Sequence, residues 1–198
     1  MKLKFLINPF ETVSEKKLLI YGIAVTLIAS YIAFLLNGRF DGAIDLHFTE
    51  NVSVFQPLID SLINFASLFI FLFGAGKIIN SKTRPVDIAT PILVAKTPYY
   101  ILLAFNINNF MYEASMSLVK SISTENPSAM PDLDMGTLTT VLIFGLISIV
   151  FLVWFFALLY YGFKTATNSK TVAHKFYFVG AIILAEILSS VLISNINY

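Results

Sequence analysis

Five long apolar runs, separated by short polar segments, dominate the 198-residue sequence. A helix needs about 20 predominantly apolar residues to cross the hydrocarbon core of a bilayer. Because backbone polar groups cannot be left unpaired in lipid, such runs form helices there. The pattern predicts an all-α integral membrane protein with five transmembrane helices, at about 18–37, 58–76, 86–105, 138–163 and 176–195.

The segment 1–17 predicts a short interfacial helix ahead of a single five-span membrane domain, residues 18–198. Asn8 is a favourable N-cap, Pro9 suits the first helical position, and Glu11 follows three residues after the cap. This segment combines lysines with apolar residues, a composition that favours binding to an anionic membrane surface. The first run is longer than the 7–15 residues of a signal-peptide core, so we expect a retained signal-anchor helix.

Several shorter patterns predict local structure between and within the spans. Alternating apolar and polar residues at 44–48 predict a short hairpin on the membrane surface. Apolar residues at helical spacing predict a helix over 110–122, followed by a proline-punctuated loop. In the last span, Ala181, Ala185 and Ser189 stand four residues apart and predict a face for close helix packing.

The charge distribution orients the spans. Arg39 and Lys120 are the only basic residues of the segments 38–57 and 106–137. Positively charged residues concentrate on the cytoplasmic side of membrane proteins. Ten of the thirteen Lys and Arg residues lie in three other segments, 2–17, 77–85 and 164–175, which we call the basic segments. The N-terminus is therefore predicted to be cytoplasmic and the C-terminus outside. The three basic segments share the cytoplasmic side only if the third apolar run is also a span.

Composition excludes several classes of protein. The chain is 57% hydrophobic and 13% charged, against about 25% charged residues in soluble domains, so the bilayer must be its main solvent. A net charge of +1 argues against nucleic acid as a partner. Without cysteine or a recognisable catalytic motif, we expect no enzymatic activity, no cofactor and no metal site. We expect the acidic residues and His47 of the segment 38–57 to be solvated loop charges, because their spacing matches no metal site.

Two charged residues lie near the middle of predicted spans, Lys96 in the third and Glu186 in the fifth. A charge at the bilayer centre costs about 2.5–3.5 kcal/mol on insertion scales. The two residues could form a gated, substrate-linked ion pair, or a structural pair that fixes how two helices dock. Alternatively, Lys96 snorkels along a broken helix and never meets Glu186.

Other polar and helix-breaking residues also lie within the spans. Pro91 and Pro98 predict a kinked or unwound third helix, because each removes a backbone hydrogen bond. Interrupted helices form binding sites in transporters, but many membrane helices simply tolerate proline. Asp60 and Asn64 lie in the first turns of the second span, where they could line a pore or stabilise the helix N-terminus.

The arrangement of the chain resembles the Yip family, the Rab-interacting five-span membrane proteins, and in particular its prokaryotic branch. The resemblance covers about 10–195. The eukaryotic family is associated with small GTPases and with traffic between the endoplasmic reticulum and the Golgi, through members with a long cytoplasmic N-terminal region, where this chain has about 17 residues. For the prokaryotic branch the resemblance implies a fold, with no residue roles. It rests on Asn8-Pro9-Phe10, five closely spaced spans, the run Val94 to Leu102 with Pro98-Tyr99, the run Trp154 to Lys164, and the turn Thr165 to Thr171.

The sequence thus predicts a non-enzymatic membrane scaffold or adaptor, or a bilayer-organising protein, with several spans in the plasma or inner membrane if it is prokaryotic. Its expected partners are the lipid bilayer and either a membrane protein or further copies of itself. The alternative is a small transporter or channel component that uses Lys96 and Glu186. That alternative predicts an oligomer, because five spans are few for a monomeric transporter.

Overall fold

The computed structural model describes residues 6–122 and 134–196. The predictions for residues 1–5 and for the loop 123–133 lie outside the described residues. Two 3-10 segments, Pro9–Glu11 and Leu103–Asn109, and two strands, β1 (Gly38–Arg39) and β2 (His47–Phe48), accompany the helices. The helices are α1 (Glu15–Leu35), α2 (Gln56–Ile79), α3 (Pro85–Ala95), α4 (Thr97–Leu102), α5 (Phe110–Ile122), α6 (Met135–Thr167) and α7 (Val172–Ser194).

Among the described residues, five helical segments are long and apolar enough to cross a membrane. They are α1, α2, α6, α7 and the interrupted helix Pro85–Ser121, which contains α3 and α4. Each segment overlaps one of the five predicted spans. The prediction is confirmed to this extent: the described residues are mainly helical and include five segments long and apolar enough to span a membrane. With 33 residues, α6 is about 50 Å long, which exceeds the roughly 30 Å hydrocarbon core.

The helices pack around α3, which contacts α1, α2 and α6. The last helix, α7, packs mainly on α2. Its predicted packing face is confirmed as buried, since Ala181, Ala185 and Ser189 are at most 5% exposed. Small side chains there let two helix backbones approach closely, which is how membrane helices gain packing energy.

The helix termini lie at two ends of the bundle, which we call the basic end and the hairpin end. At the basic end, which carries the segments 77–85 and 164–175, the turn after α2 lies beside the end of α6. A Cβ built on Gly76 would lie 3.4 Å from the Thr167 side chain. The hairpin end carries β1 and β2. The predicted turn into the last span is confirmed at the basic end, where Asn168 adopts the left-handed conformation after α6.

The segment before α1 differs from the predicted helix. After Leu6 and Ile7, which are helical, the chain makes only the three-residue 3-10 turn that starts at Pro9. The Asn8 side chain is buried and makes no capping hydrogen bond. Trp154 Nε1 of α6 donates to the Leu6 carbonyl at 2.8 Å. Packing against α6 therefore decides the conformation here, where the sequence suggested a helix that begins with an N-cap.

The predicted hairpin exists, but its predicted location on the surface is wrong. Gly38 pairs with Phe48 and Arg39 with His47 in an antiparallel ladder. The connecting segment 40–46, which we call the inserted loop, enters the bundle between the helices, so that Phe40 is 1% exposed and Ala43 is fully buried. Hydrogen bonds with side chains of neighbouring helices satisfy the N–H and carbonyl groups of Phe40, Ala43 and Ile44, as the interior of a membrane protein requires.

The predicted interruption of the third span is confirmed at Lys96, which separates α3 from α4. Pro91 lies inside α3, and Pro98 lies in the first turn of α4, where a missing N–H is tolerated. A sharper change of direction follows at Asn108 and Asn109, both with positive φ. The helix predicted over 110–122 is confirmed as α5.

Candidate functional site

The inserted loop is held from one side by Lys96, at the break between α3 and α4. Lys96 Nζ donates to the Ala43 carbonyl at 2.5 Å, and the residue is 7% exposed. The same nitrogen lies 5.4 Å from the ring centre of Tyr99 and 5.7 Å from that of Phe155. A carbonyl dipole and two aromatic faces thus surround the buried ammonium, and each attracts a cation.

From the other side, α7 holds the same loop. The Ile44 N–H donates to Glu186 Oε2 at 2.8 Å, and the Ala43 N–H donates to Ser189 Oγ at 3.0 Å. Ser190 Oγ donates to Glu186 Oε1 at 3.3 Å. A Cβ built on Gly42 would overlap the Glu186 carboxylate. The loop needs glycine at this position because its backbone lies directly against that carboxylate.

Lys96 and Glu186 therefore bind opposite ends of one peptide group, the carbonyl of Ala43 and the N–H of Ile44. No ion pair within the described part of the chain joins the two side chains directly. The peptide dipole points its negative oxygen at the ammonium and its positive N–H at the carboxylate. The two predicted intramembrane charges are thus brought together through a backbone group.

Asp60 forms the second attachment of the hairpin. Arg39 of β1 donates to both carboxylate oxygens of Asp60, from Nε at 2.6 Å and from Nη2 at 3.0 Å. Such bidentate pairs are among the strong hydrogen bonds of proteins. Asp60 is fully buried. Its observed role is to bind Arg39, where the sequence suggested helix-terminus stabilisation or pore lining.

Asn64, one turn after Asp60, also binds the inserted loop. Its Nδ2 donates to the Phe40 carbonyl at 2.7 Å. Its Oδ1 is buried with no hydrogen-bond partner in the described ranges 6–122 and 134–196. Asn64, Lys96 and Tyr100 line a cavity of about 10 Å³ beside the loop. That volume is close to the space of a single water molecule.

Where the inserted loop joins the two strands, His47 Nδ1 lies 2.7 Å from Asp41 Oδ2. Asp41 Oδ1 lies 3.7 Å from Arg39 Nη2. The hydrogen bond to Asp41 raises the pKa of His47 above its usual value, against the opposing effect of burial. Burial would raise the pKa of Asp41, but the hydrogen bond and charge of His47 and the charge of Arg39 outweigh it and lower that pKa. Alternating charges therefore extend from His47 to the buried Asp60.

Asp41 and His47 were expected to be solvated loop charges, and this is wrong for the pair, which is half-buried and hydrogen-bonded. Within residues 6–122 and 134–196, no three His, Asp or Glu side chains are grouped as a metal site would require. Instead, the carboxylates of Glu186 and Asp60 accept from backbone N–H groups. Asp60 also binds Arg39, and Asp41 binds His47.

Sequence reasoning missed several residues that hold the loop. Arg39 stands out in the sequence only as an isolated basic residue, because its main partner, Asp60, lies 21 positions away. Tyr99, whose hydroxyl donates to the Ile44 carbonyl at 2.7 Å, was noticed only within the family resemblance. Gly42 gave no signal, since its role depends on Glu186, far away in the sequence.

Comparisons with protein-family models, with curated proteins and with solved structures give no match.

Proposed function

We propose that the protein is a non-enzymatic membrane scaffold or adaptor, with its N-terminus in the cytoplasm and its C-terminus outside. Five apolar helical segments support the multi-pass architecture. The concentration of Lys and Arg in alternate polar segments supports the orientation. Membership of the Yip family is part of this proposal and rests on the sequence features given above.

The observation that carries the proposal is the peptide group held between Lys96 and Glu186. In the transport alternative, Lys96 and Glu186 would have to be free to bind a solute. Here both charged side chains hold the inserted loop, and the cavity beside Lys96 has a volume of only about 10 Å³, far below the roughly 300–1,000 Å³ of small-molecule sites. This arrangement favours a structural role for both residues and a rigid bundle.

The basic end supplies a contact surface for a partner. Lys16 and Lys17 are exposed at the start of α1. Arg84, at the start of α3, binds Asp87 and reaches Glu15 of α1. Exposed cations next to a membrane helix attract anionic groups of lipids and proteins. The same end of the bundle thus carries a fixed network and accessible lysines.

Crosslinking of the tagged full chain in its native membrane, followed by identification of bound proteins, tests the proposal. We expect a stoichiometric membrane-protein partner whose recovery falls in the Lys16→Gln/Lys17→Gln variant. Lys120→Gln removes an exposed lysine of α5, far from α1 in the sequence, and should leave recovery unchanged.

A flux assay in vesicles provides the opposing outcome. Solute transport by the purified protein that is lost in Glu186→Gln, with folding retained, would reject the scaffold and assign the Lys96 region to transport. The Lys16→Gln/Lys17→Gln variant would then transport normally, because its substitutions lie outside that region.

A further inference from the structure

An open apolar groove lies between α6 and α7. These helices are consecutive in the chain, yet α6 packs on α3 and its neighbours whereas α7 packs on α2. The groove has a volume of about 690 Å³, within the range of small-molecule sites. Its lining includes Val153, Phe156 and Ala157 of α6, with Ile182 and Ile183 of α7.

Different residues border the groove at its two ends. Towards the basic end, the Phe178 ring packs against Tyr160 at 5.4 Å and Phe163 at 5.3 Å between ring centres. Towards the hairpin end, Ile44 and Glu186 complete the lining. Both carboxylate oxygens of Glu186 accept hydrogen bonds, from Ile44 N–H and Ser190. The wall at this end therefore remains suited to an apolar occupant.

The dimensions and composition of the groove fit a lipid chain better than a helix. The lining of α7 extends over residues 178–187, nine residue steps or about 14 Å, whereas a spanning helix of a partner would need about 30 Å. Close helix pairs also depend on small residues. Within this lining Ala157 is the one residue of that size, and most others are aromatic or β-branched.

Positive charge marks one mouth of the groove. Lys164 follows the lining residue Tyr160 by four positions, and Lys175 precedes the lining residue Val179 by four positions. Residues four apart share a face of a helix. Both lysines are exposed, and neither forms an ion pair with the described residues. Tyr177, 46% exposed, adds an aromatic residue of the kind found at headgroup level.

We propose that the groove between α6 and α7 binds one acyl chain of an anionic phospholipid, whose headgroup lies between Lys164 and Lys175. The chain then extends along Phe156 and Ile183 towards Ile44. This inference rests on the proposed function only in that the bundle lies in a bilayer. A scaffold that lacks a lipid site would still retain its protein partner, so failure of one proposal is distinguishable from failure of the other.

Native mass spectrometry of the purified full chain with equimolar phosphatidylglycerol and phosphatidylcholine tests the site. We expect one phosphatidylglycerol molecule to be retained in preference. Lys164→Gln/Lys175→Gln should lower its affinity about 25-fold, about fivefold for each lysine, without affecting phosphatidylcholine. Lys77→Gln/Lys82→Gln removes the same charge at the same end, outside the groove, and should change the preference little.

A second pair of variants tests the groove itself. Ala157→Phe fills it and should abolish retention of phosphatidylglycerol, whereas Ala24→Phe makes the same change at an exposed position of α1 and should not. If Ala157→Phe fails to fold, Val153→Phe, at a 63% exposed position of the groove, serves in its place.

Three outcomes would overturn the proposal. The first is equal retention of the two lipids by the unmodified chain. The second is retention of phosphatidylglycerol that persists in folded protein with the groove filled. The third is a dimer that dissociates in Ala157→Phe, which would assign the groove to a second copy of the chain.

Discussion

Lys96 and Glu186 bind the two ends of a single peptide group, the Ala43 carbonyl and the Ile44 N–H. This relationship explains how the buried Lys96, the half-buried Glu186 and a stretch of loop backbone, each costly in a bilayer, are accommodated together. Each charge faces the complementary end of the peptide dipole. The peptide group between Ala43 and Ile44, which lipid could not satisfy, finds partners at the break between α3 and α4 and on α7.

Two replacements of Glu186 should distinguish the contribution of its hydrogen bond to stability from the contribution of its charge. Glu186→Gln and Glu186→Leu both remove the negative charge, but Gln retains an oxygen that can accept from Ile44 N–H. We therefore expect Glu186→Leu to be less stable than Glu186→Gln by about 1–3 kcal/mol, the cost of an unsatisfied buried donor. Denaturant titration in detergent, followed by circular dichroism, measures the difference. Equal stability would show that the hydrogen bond contributes nothing.

Removal of both charges should lower the free energy of unfolding by less than the sum of the two single removals. Glu186→Leu leaves the buried Lys96 without the opposite charge, at about 3–5 kcal/mol. Lys96→Met leaves only the half-buried Glu186 so, at a smaller cost. The double variant leaves neither, so the free energies of unfolding should be non-additive. Additive losses in the same titration would indicate that Lys96 and Glu186 act independently.

Gly42 should not tolerate a side chain. A Cβ there would overlap Glu186, so Gly42→Ala must displace the loop or the carboxylate, with an expected loss of about 1–3 kcal/mol. Gly74→Ala is the matched control, because no atom lies within 4 Å of a Cβ at that position. The two unfolding midpoints are compared in detergent, and a Gly42→Ala midpoint equal to that of Gly74→Ala would refute the close contact.

Stability should depend on pH through His47. Because Asp41 raises the pKa of His47 in the folded protein, its stabilising effect is complete below the unfolded pKa of about 6.5 and is lost as pH rises through the raised folded pKa. Arg39 opposes the protonated form and Asp45 favours it. Unfolding midpoints measured across this range should therefore fall at higher pH.

His47→Gln should remove that component of the pH dependence. His174→Gln, which removes a histidine at the basic end, should retain it. A pH profile that is the same in His47→Gln and in the unmodified chain would exclude His47 as the responsible group.

The proposed orientation can be measured with single thiols, because the chain has no cysteine. Ser53 and Ser81 are both exposed, Ser53 ahead of α2 and Ser81 after it. A membrane-impermeant maleimide should label Ser53→Cys in intact cells and Ser81→Cys only after permeabilisation. The reverse pattern would invert the assignment of the two sides.

The helical spans could be predicted because their signal is local. Hydropathy over about 20 residues gave each span, and Pro91 and Pro98 correctly indicated the interruption, which falls at Lys96. The 3-10 turn at Pro9 could not be predicted from capping preferences, because contacts with α6 decide it. Local propensity is a weak determinant wherever tertiary packing competes with it.

The sequence by itself determined the membrane class, the five apolar segments and the unusual positions of Lys96 and Glu186, because each follows from residue type and spacing along one dimension. Only the tertiary structure decided that residues 40–46 enter the bundle and lie between those two side chains. The alternation at 44–48 describes a hairpin equally well on the surface or inside. Its burial depends on Lys96, Asp60, Asn64 and Glu186 meeting its backbone at once, and contacts up to 146 positions apart leave no local pattern in the sequence.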